Sequence, residues 1–240
     1  MFDQFPKKRP PLPRDIEEVY SAYYKSNREG ETTVSSLAQR MESWLHKQVA
    51  KDVSGVNAPE LRTLELGAGT LNQLQHEPEG GAYDVVEPFS ELYTDSPLLG
   101  RLRHIYSDIA EVPAELRYDR ITSVAVLEHI CELPQAVARS GLLLEKHGCF
   151  RAAIPNEGSL IWALGWKLTT GLAFKLKYGL DYGLFMRHEH VNTAREIEQV
   201  LDYFFAEVSR KVFGISKSIS LYHYYECRSP RLDRCRDFSR

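Results

Sequence analysis

"TLELGAGTLNQL", residues 63–74, sets a short aliphatic run against a turn punctuated by Gly67 and Gly69. The run reads as a strand, and the two glycines permit a tight bend that lets a ligand approach bare backbone. In a parallel sheet flanked by helices, such a turn sits at the carboxyl end of a strand, where ligands bind. Working outward, apolar runs recur at 83–87, 103–106, 120–127 and 149–154, separated by polar or helical segments. Alternation of this kind predicts parallel strands. Two more runs, 207–213 and 221–227, are joined by a short link and predict an antiparallel hairpin.

Two helical stretches precede the first strand. "RDIEEVYSAYYKSNREG" follows Pro13 with acidic residues in its first turns and ends at Gly30. "TTVSSLAQRMESWLHKQVAKDV" places Val34, Leu37, Met41, Trp44 or Leu45, and Gln48 along one face at helical spacing. The expectation is an N-terminal arm and helical cap over residues 1–60, a core over 61–228 and a C-terminal tail over 229–240. The proline-rich "KKRPPLPR" reads as a loose arm, since proline denies it helix.

Composition bounds the function. The 240 residues are 43% hydrophobic, enough for one substantial core, and a net charge of −3 gives no basic footprint for nucleic acid. Cys131, Cys149, Cys227 and Cys235 form no CxxC pair, which points to a reduced, cytoplasmic chain. The N-terminus has no signal-peptide organisation, and no apolar run reaches the roughly 20 residues that span a bilayer.

The glycine turn discriminates among cofactors. A dinucleotide fingerprint needs glycine at 72, where Asn72 stands, and no GK[ST] follows to make a P-loop. Glu65 beside the turn repels phosphate and favours a cationic ligand. Glu87 in "YDVVEP" ends the second strand, where a carboxylate accepts both ribose hydroxyls. Asp108 in "HIYSDIAEVP" ends the third, placed to receive an adenine amino proton while the N–H of Ile109 meets a ring nitrogen. Together these strand ends specify an adenosine with a cationic tail. Taken singly, each could be an ordinary turn residue.

With "LELGAG", "VVEP", "SDIAEVP", "VLEHI" and "GCFRAAIPN" in this order, the chain resembles the class I S-adenosylmethionine-dependent methyltransferases over roughly residues 61–227. The resemblance implies an α/β, Rossmann-like seven-stranded, mostly parallel sheet with a terminal antiparallel hairpin. It also implies S-adenosylmethionine held by Glu65, Gly67, Ala68, Gly69, Glu87, Asp108, Ile109 and Glu128. Leu71 departs from the family pattern, in which many members carry a third glycine; the departure bears on how the next helix starts. "YKSNREG" and "GLDYGLFMRHEHVNTAREIE" are similar to methyltransferases of bacterial polysaccharide and sugar modification, implying a sugar-containing small-molecule acceptor.

Residues 156–192 are long for a connection and are expected to form a lid that selects substrate. Within it, Leu160, Leu164, Leu168 and Leu172 fall on one helical line and Trp162 and Trp166 on another. Core packing or a homodimer contact would explain the line; so would a membrane-surface helix flanked by Lys167, Lys175 and Lys177. In "RHEHVNT", His188 and His190 would face the same way in an extended segment. That arrangement can bind metal, but no third ligand is evident and no metal is assigned. A hydroxyl acceptor needs a base, for which His129 in "VLEHI" is the first choice and His188 and His190 the second. Arg28, Tyr24, Asn156 and Tyr182 are assigned to the substrate, Arg28 also being able to pair with the methionyl carboxylate from the cap. Asn192 or Thr193 should cap the following helix, with Glu196 behind. A nicotinamide-dependent oxidoreductase and a non-catalytic binding module remain as alternatives.

Overall fold

A computed structural model describes residues 2–13, 16–17, 36–56 and 58–238. In chain order its helices and strands are α1 (Ser36–Val49), β1 (Arg62–Leu66), β2 (Ala82–Val86), β3 (His104–Tyr106), β4 (Tyr118–Val124), α2 (Leu133–Leu143) and β5 (Leu144–Pro155). They continue with α3 (Leu160–Trp166), α4 (Leu172–Tyr178), α5 (Tyr182–Glu189), α6 (Ala194–Phe204), β6 (Phe205–Gly214), β7 (Ser220–Pro230) and α7 (Leu232–Phe238). Among the described residues the strands form one sheet ordered β3-β2-β1-β4-β5-β7-β6. The first five strands run parallel, and β7 pairs antiparallel with both β5 and β6. The expected parallel sheet with its closing hairpin is thus present.

Register decides what each face carries. Leu64 aligns with Ile121, and Ile121 with Phe150, giving an apolar row across one face. That face is covered by α2, α6 and α7, with Val137, Leu143, Ile197, Leu201 and Phe204 among the buried residues of the cluster. The opposite face carries Thr63, Glu65, Arg120, Thr122 and Arg151, all buried, and α1 lies across it. Arg120 and Arg151 both donate to the carbonyl of Val49, and Arg151 also to that of Gln48. Two cations thereby satisfy the open carbonyls at the end of α1. Asp52 and Glu77 neutralise Arg120, and Glu226 neutralises Arg151.

The turn after β1 enters no α-helix. Gly67, Gly69 and also Leu71 have positive φ, and only a single 3-10 turn, Gln73–His76, precedes β2. Leu71 takes the left-handed conformation that a third glycine would adopt, and it is held there by full burial against Ala68, Leu74, Tyr83 and Val85. The fourth strand stops at Val124, short of the expected Leu127, because Ala125 turns left-handed and Leu127–His129 form a 3-10 turn.

Three regions differ from their reading. The N-terminal arm is docked, not loose: Phe2 packs edge-on against Tyr203 and Phe238, and Lys7 donates to the Val191 carbonyl and to Glu196. The tail beyond 229 forms α7, whose Cys235 is buried against Gly141 of α2. The leucine line of the lid is not core: Leu160 is 82% exposed, Leu164 53%, Leu168 70% and Leu172 52%, and Leu176 beyond it is 80% exposed. Among the described residues no helix is long and apolar enough to cross a membrane.

Candidate active site

The carboxyl ends of β1, β2, β3 and β4 open into one cleft of about 1000 Å³. Glu65, Gly67, Ala68, Gly69, Glu87, Asp108 and Ile109 all line it, so the residues chosen for an adenosine ligand share one cavity. Gly67 could not carry a side chain, because a Cβ there would lie 2.3 Å from Val126, whereas a Cβ on Gly69 would meet nothing within 4 Å. The first glycine is thus fixed by packing, and the second by its φ of +49° beside open space.

Glu87 is organised by the turn it faces. Its Oε2 accepts the N–H of Gly69 at 2.8 Å and its Oε1 the N–H of Phe89 at 3.1 Å. Each oxygen keeps a lone pair, so the carboxylate can still take two hydroxyls. Asp108 accepts the Ala110 N–H at 2.7 Å through Oδ1. Glu65 is 2% exposed, and Tyr83 donates to its Oε2 at 2.8 Å. Burial, with Glu77 and Glu87 nearby, pushes its pKa up to about 8 despite that bond. A cation placed beside it would favour its charged form.

At the other end of the cleft stands His129, which lines it together with Arg9 and Glu189. The His129 Nδ1 lies 2.9 Å from the Glu189 carbonyl, and its ring sits edge-on to His190, centroids 4.9 Å apart. Burial alone would lower its pKa, but the Glu189 and Glu128 carboxylates outweigh it and hold the pKa above the ordinary value. His190 Nδ1 is 2.7 Å from Glu157 Oε2, which also receives the Trp162 indole N–H at 2.6 Å. Burial would raise the Glu157 carboxyl, yet His190, Trp162 and the Gly158 N–H keep it below the usual range.

Several expected site residues lie elsewhere. His188 and His190 do not share a face, because the chain is helical to Glu189; His188 instead bonds the carbonyl of Pro10 in the arm. Glu128 is buried behind the cleft rather than lining it. Asn156 donates to the carbonyls of Lys217 and Ser220, tying β5 to the start of β7. Tyr182 packs in the lid's own aromatic cluster with Phe174 and Phe185. Tyr24 and Arg28 lie outside the described residues. Thr193 makes the capping box with Glu196, while Asn192 turns to the carbonyls of Leu127 and Ile130. Sequence reading missed His46, Arg139 and Tyr222 among the cleft's walls; none of them directly follows a parallel strand, the position by which the cofactor residues were read.

No protein-family model matches this sequence, and no curated protein matches it. Solved structures do. The N-methyltransferase NodS from Bradyrhizobium japonicum is 15% identical, with 79% of this chain and 97% of that one covered at a TM-score of 0.53. The plantazolicin methyltransferase BpumL, crystallised with a substrate analogue and S-adenosylhomocysteine, is 12% identical over 89% and 92% of the two chains, TM-score 0.59. The CurJ carbon methyltransferase is 19% identical over 86% and 58%, TM-score 0.56. At these identities the likeness establishes the fold: a seven-stranded α/β sheet shared with methyltransferases of this class.

Proposed function

We propose that the protein is an S-adenosylmethionine-dependent methyltransferase that methylates a hydroxyl of a sugar or glycan intermediate. The observation that carries the cofactor is Glu87, buried at a strand end, its carboxylate aimed by two backbone N–H groups into the cleft that Gly69 opens. Two hydroxyls on its remaining lone pairs would fix a ribose, with Asp108 near the base and Glu65 near the cationic end. The sugar acceptor rests on the resemblance carried by "YKSNREG" and "GLDYGLFMRHEHVNTAREIE". A reduced, cytoplasmic setting fits the four cysteines, none of them in a disulfide.

Methyl transfer from a sulfonium is an in-line displacement. The acceptor oxygen forms the C–O bond as the C–S bond breaks, and the electron pair returns to sulfur. Alignment and exclusion of water supply most of the acceleration. The proton of the hydroxyl is removed at the His129 end of the cleft. α1 supplies one wall through Glu42, Leu45 and His46, and the arm supplies Arg9; residues 1–60 serve as the cap.

Calorimetry with S-adenosylhomocysteine tests the cofactor. Binding should be micromolar and should weaken by about 1–3 kcal/mol, roughly 10- to 100-fold, in Glu87→Ala. Equal affinity in the variant removes Glu87 from the site, and binding of a nicotinamide cofactor in its place would favour an oxidoreductase. Cofactor binding with no turnover on any sugar would leave a binding module.

One further observation favours a lipid-linked acceptor. The exposed leucines of α3 and α4 stand beside Lys167, Lys175 and Lys177, an apolar line with cationic flanks that suits an anionic bilayer surface. The protein should sediment with phosphatidylglycerol vesicles, and a Leu168→Glu, Leu176→Glu double variant should stay in solution. Failure of the wild-type protein to sediment ends this reading.

A further inference from the structure

Glu128 presents a problem of charge. Its side chain is 1% exposed, and its Oε2 has no hydrogen-bond partner. A buried carboxylate oxygen left unpaired costs several kcal/mol, and native proteins rarely leave one so. Beside its carboxylate stand two imidazoles. The Nε2 of His129 lies 3.8 Å from Glu128 Oε1. One ligand atom each from Glu128, His129 and His190 can be chosen so that all lie within 4.8 Å of one another.

The Nδ1 atom of each ring is engaged by an acceptor. The Glu189 carbonyl can only accept, so His129 Nδ1 carries a hydrogen and Nε2 is the ring atom turned toward Glu128. Glu157 Oε2 already accepts the Trp162 N–H and lies 2.7 Å from His190 Nδ1, so His190 too is engaged through Nδ1 and has Nε2 left to offer. Two ring nitrogens and a carboxylate oxygen are thereby gathered into one cluster. Carbonyl or carboxylate acceptors behind each Nδ1 are the arrangement that orients metal-bound histidines.

We propose that Glu128, His129 and His190 bind a divalent transition cation. Two nitrogens and one carboxylate suit Zn²⁺, Mn²⁺, Fe²⁺ or Co²⁺, whereas Mg²⁺ and Ca²⁺ prefer oxygen ligands. Bonds of about 2.0–2.2 Å set ligand atoms about 3.4 Å apart, so atoms now as much as 4.8 Å apart must draw inward by about 1 Å or more around the ion. His129 lines the cleft, so an ion held by it would stand at the cleft wall. There the ion lowers the pKa of a bound hydroxyl, which releases its proton to solvent. This catalytic role rests on the methyl-transfer reading above; cation binding itself does not. His129 then acts as a ligand, since an Nε2 that holds a cation is no longer a base.

The test is titration of chelator-treated protein with Co²⁺, followed by its visible d–d bands, and with Zn²⁺ by calorimetry. The full chain should bind one equivalent of each. Glu128→Gln and His190→Ala should weaken binding roughly 100-fold or more, with His188→Ala as a control that leaves it unchanged. Thermal melts of each variant separate lost ligands from lost fold. Absence of saturable binding, or equal affinity in a Glu128→Gln, His190→Ala double variant that still melts cooperatively, overturns the proposal. S-adenosylhomocysteine affinity measured on the same samples separates the two readings: if it persists without cation binding only the metal site falls, and the converse result removes only the cofactor assignment.

Discussion

The two faces of the sheet are built from the same strands by opposite means. On the face beneath α2, α6 and α7, Leu64, Ile121, Phe150, Tyr225 and Cys227 exclude water and pack against helices. On the face beneath α1, the register sets Glu65 beside Thr122, Thr122 beside Arg151 and Arg151 beside Glu226, a polar row crossing four strands. The first face is held by burial of area, and each contact tolerates change gradually. The second joins a smaller apolar cluster of Leu45, Val49, Ala153 and Tyr224 to matched charges, and removing one charged member leaves its partners buried without compensation. The cleft opens at the carboxyl ends of the strands, lined from both sides of the sheet, and in it a charged ligand meets the buried Glu65 of the polar face.

The largest expected effect comes from breaking that match. Arg120→Met should cost about 3–5 kcal/mol in denaturant unfolding, because Glu77 and Asp52 lose their cation and α1 loses a donor at its C-terminus. Adding Glu77→Leu and Asp52→Leu should recover part of that loss. If the single variant costs less than about 1 kcal/mol, the polar face is as tolerant as the apolar one.

Glu65 gives the contrast a pH dependence. Burial raises its folded pKa to about 8 from 4.5, so between those values the folded protein keeps a proton that the unfolded chain releases. Its contribution is therefore fully present below about pH 4.5 and is lost as pH rises through about 8, a change of a few kcal/mol. Glu65→Gln should flatten stability across this window, read as the difference between wild-type and variant melts. A cationic ligand should do the same by favouring the carboxylate, so its affinity should rise with pH. Parallel curves for the two proteins would show that Glu65 is ionised before any ligand arrives.

The smallest effect concerns Leu71. Leu71→Gly gives up a buried side chain but releases a left-handed backbone worth about 1–2 kcal/mol, so the net loss should be about 1–3 kcal/mol. Leu143→Ala, in a right-handed helix on the other face, has nothing to release and should cost about 2–5 kcal/mol. Equal losses would mean that no strain is held at Leu71.

The apolar face was legible in the sequence because periodicity reports burial: the strands lie within a few residues of their expected limits. The polar face was not, since Arg120 and Arg151 inside apolar runs give no sign that α1's carbonyls will receive them. The strand-end residues Glu65, Glu87 and Asp108 were readable, each being tied to the end of a readable strand. Glu128 and His190 were not readable as a pair, because the Asn192 N–H bonds the Glu128 carbonyl across a connection whose path no local pattern encodes. The docked arm was hidden for a related reason: the socket of Phe2 is assembled from α6 and α7, far along the chain.

Leu71 also constrains how this chain can change by mutation. Leucine and glycine codons differ at both their first and second bases, so the route between them passes through a third residue. Changing the first base gives valine, whose branched Cβ suits a left-handed backbone worst. Changing the second leads through arginine, or through tryptophan or a stop, none of which fits a fully buried aliphatic site. A third glycine in this loop is therefore chemically acceptable yet separated from the present sequence by poorer intermediates.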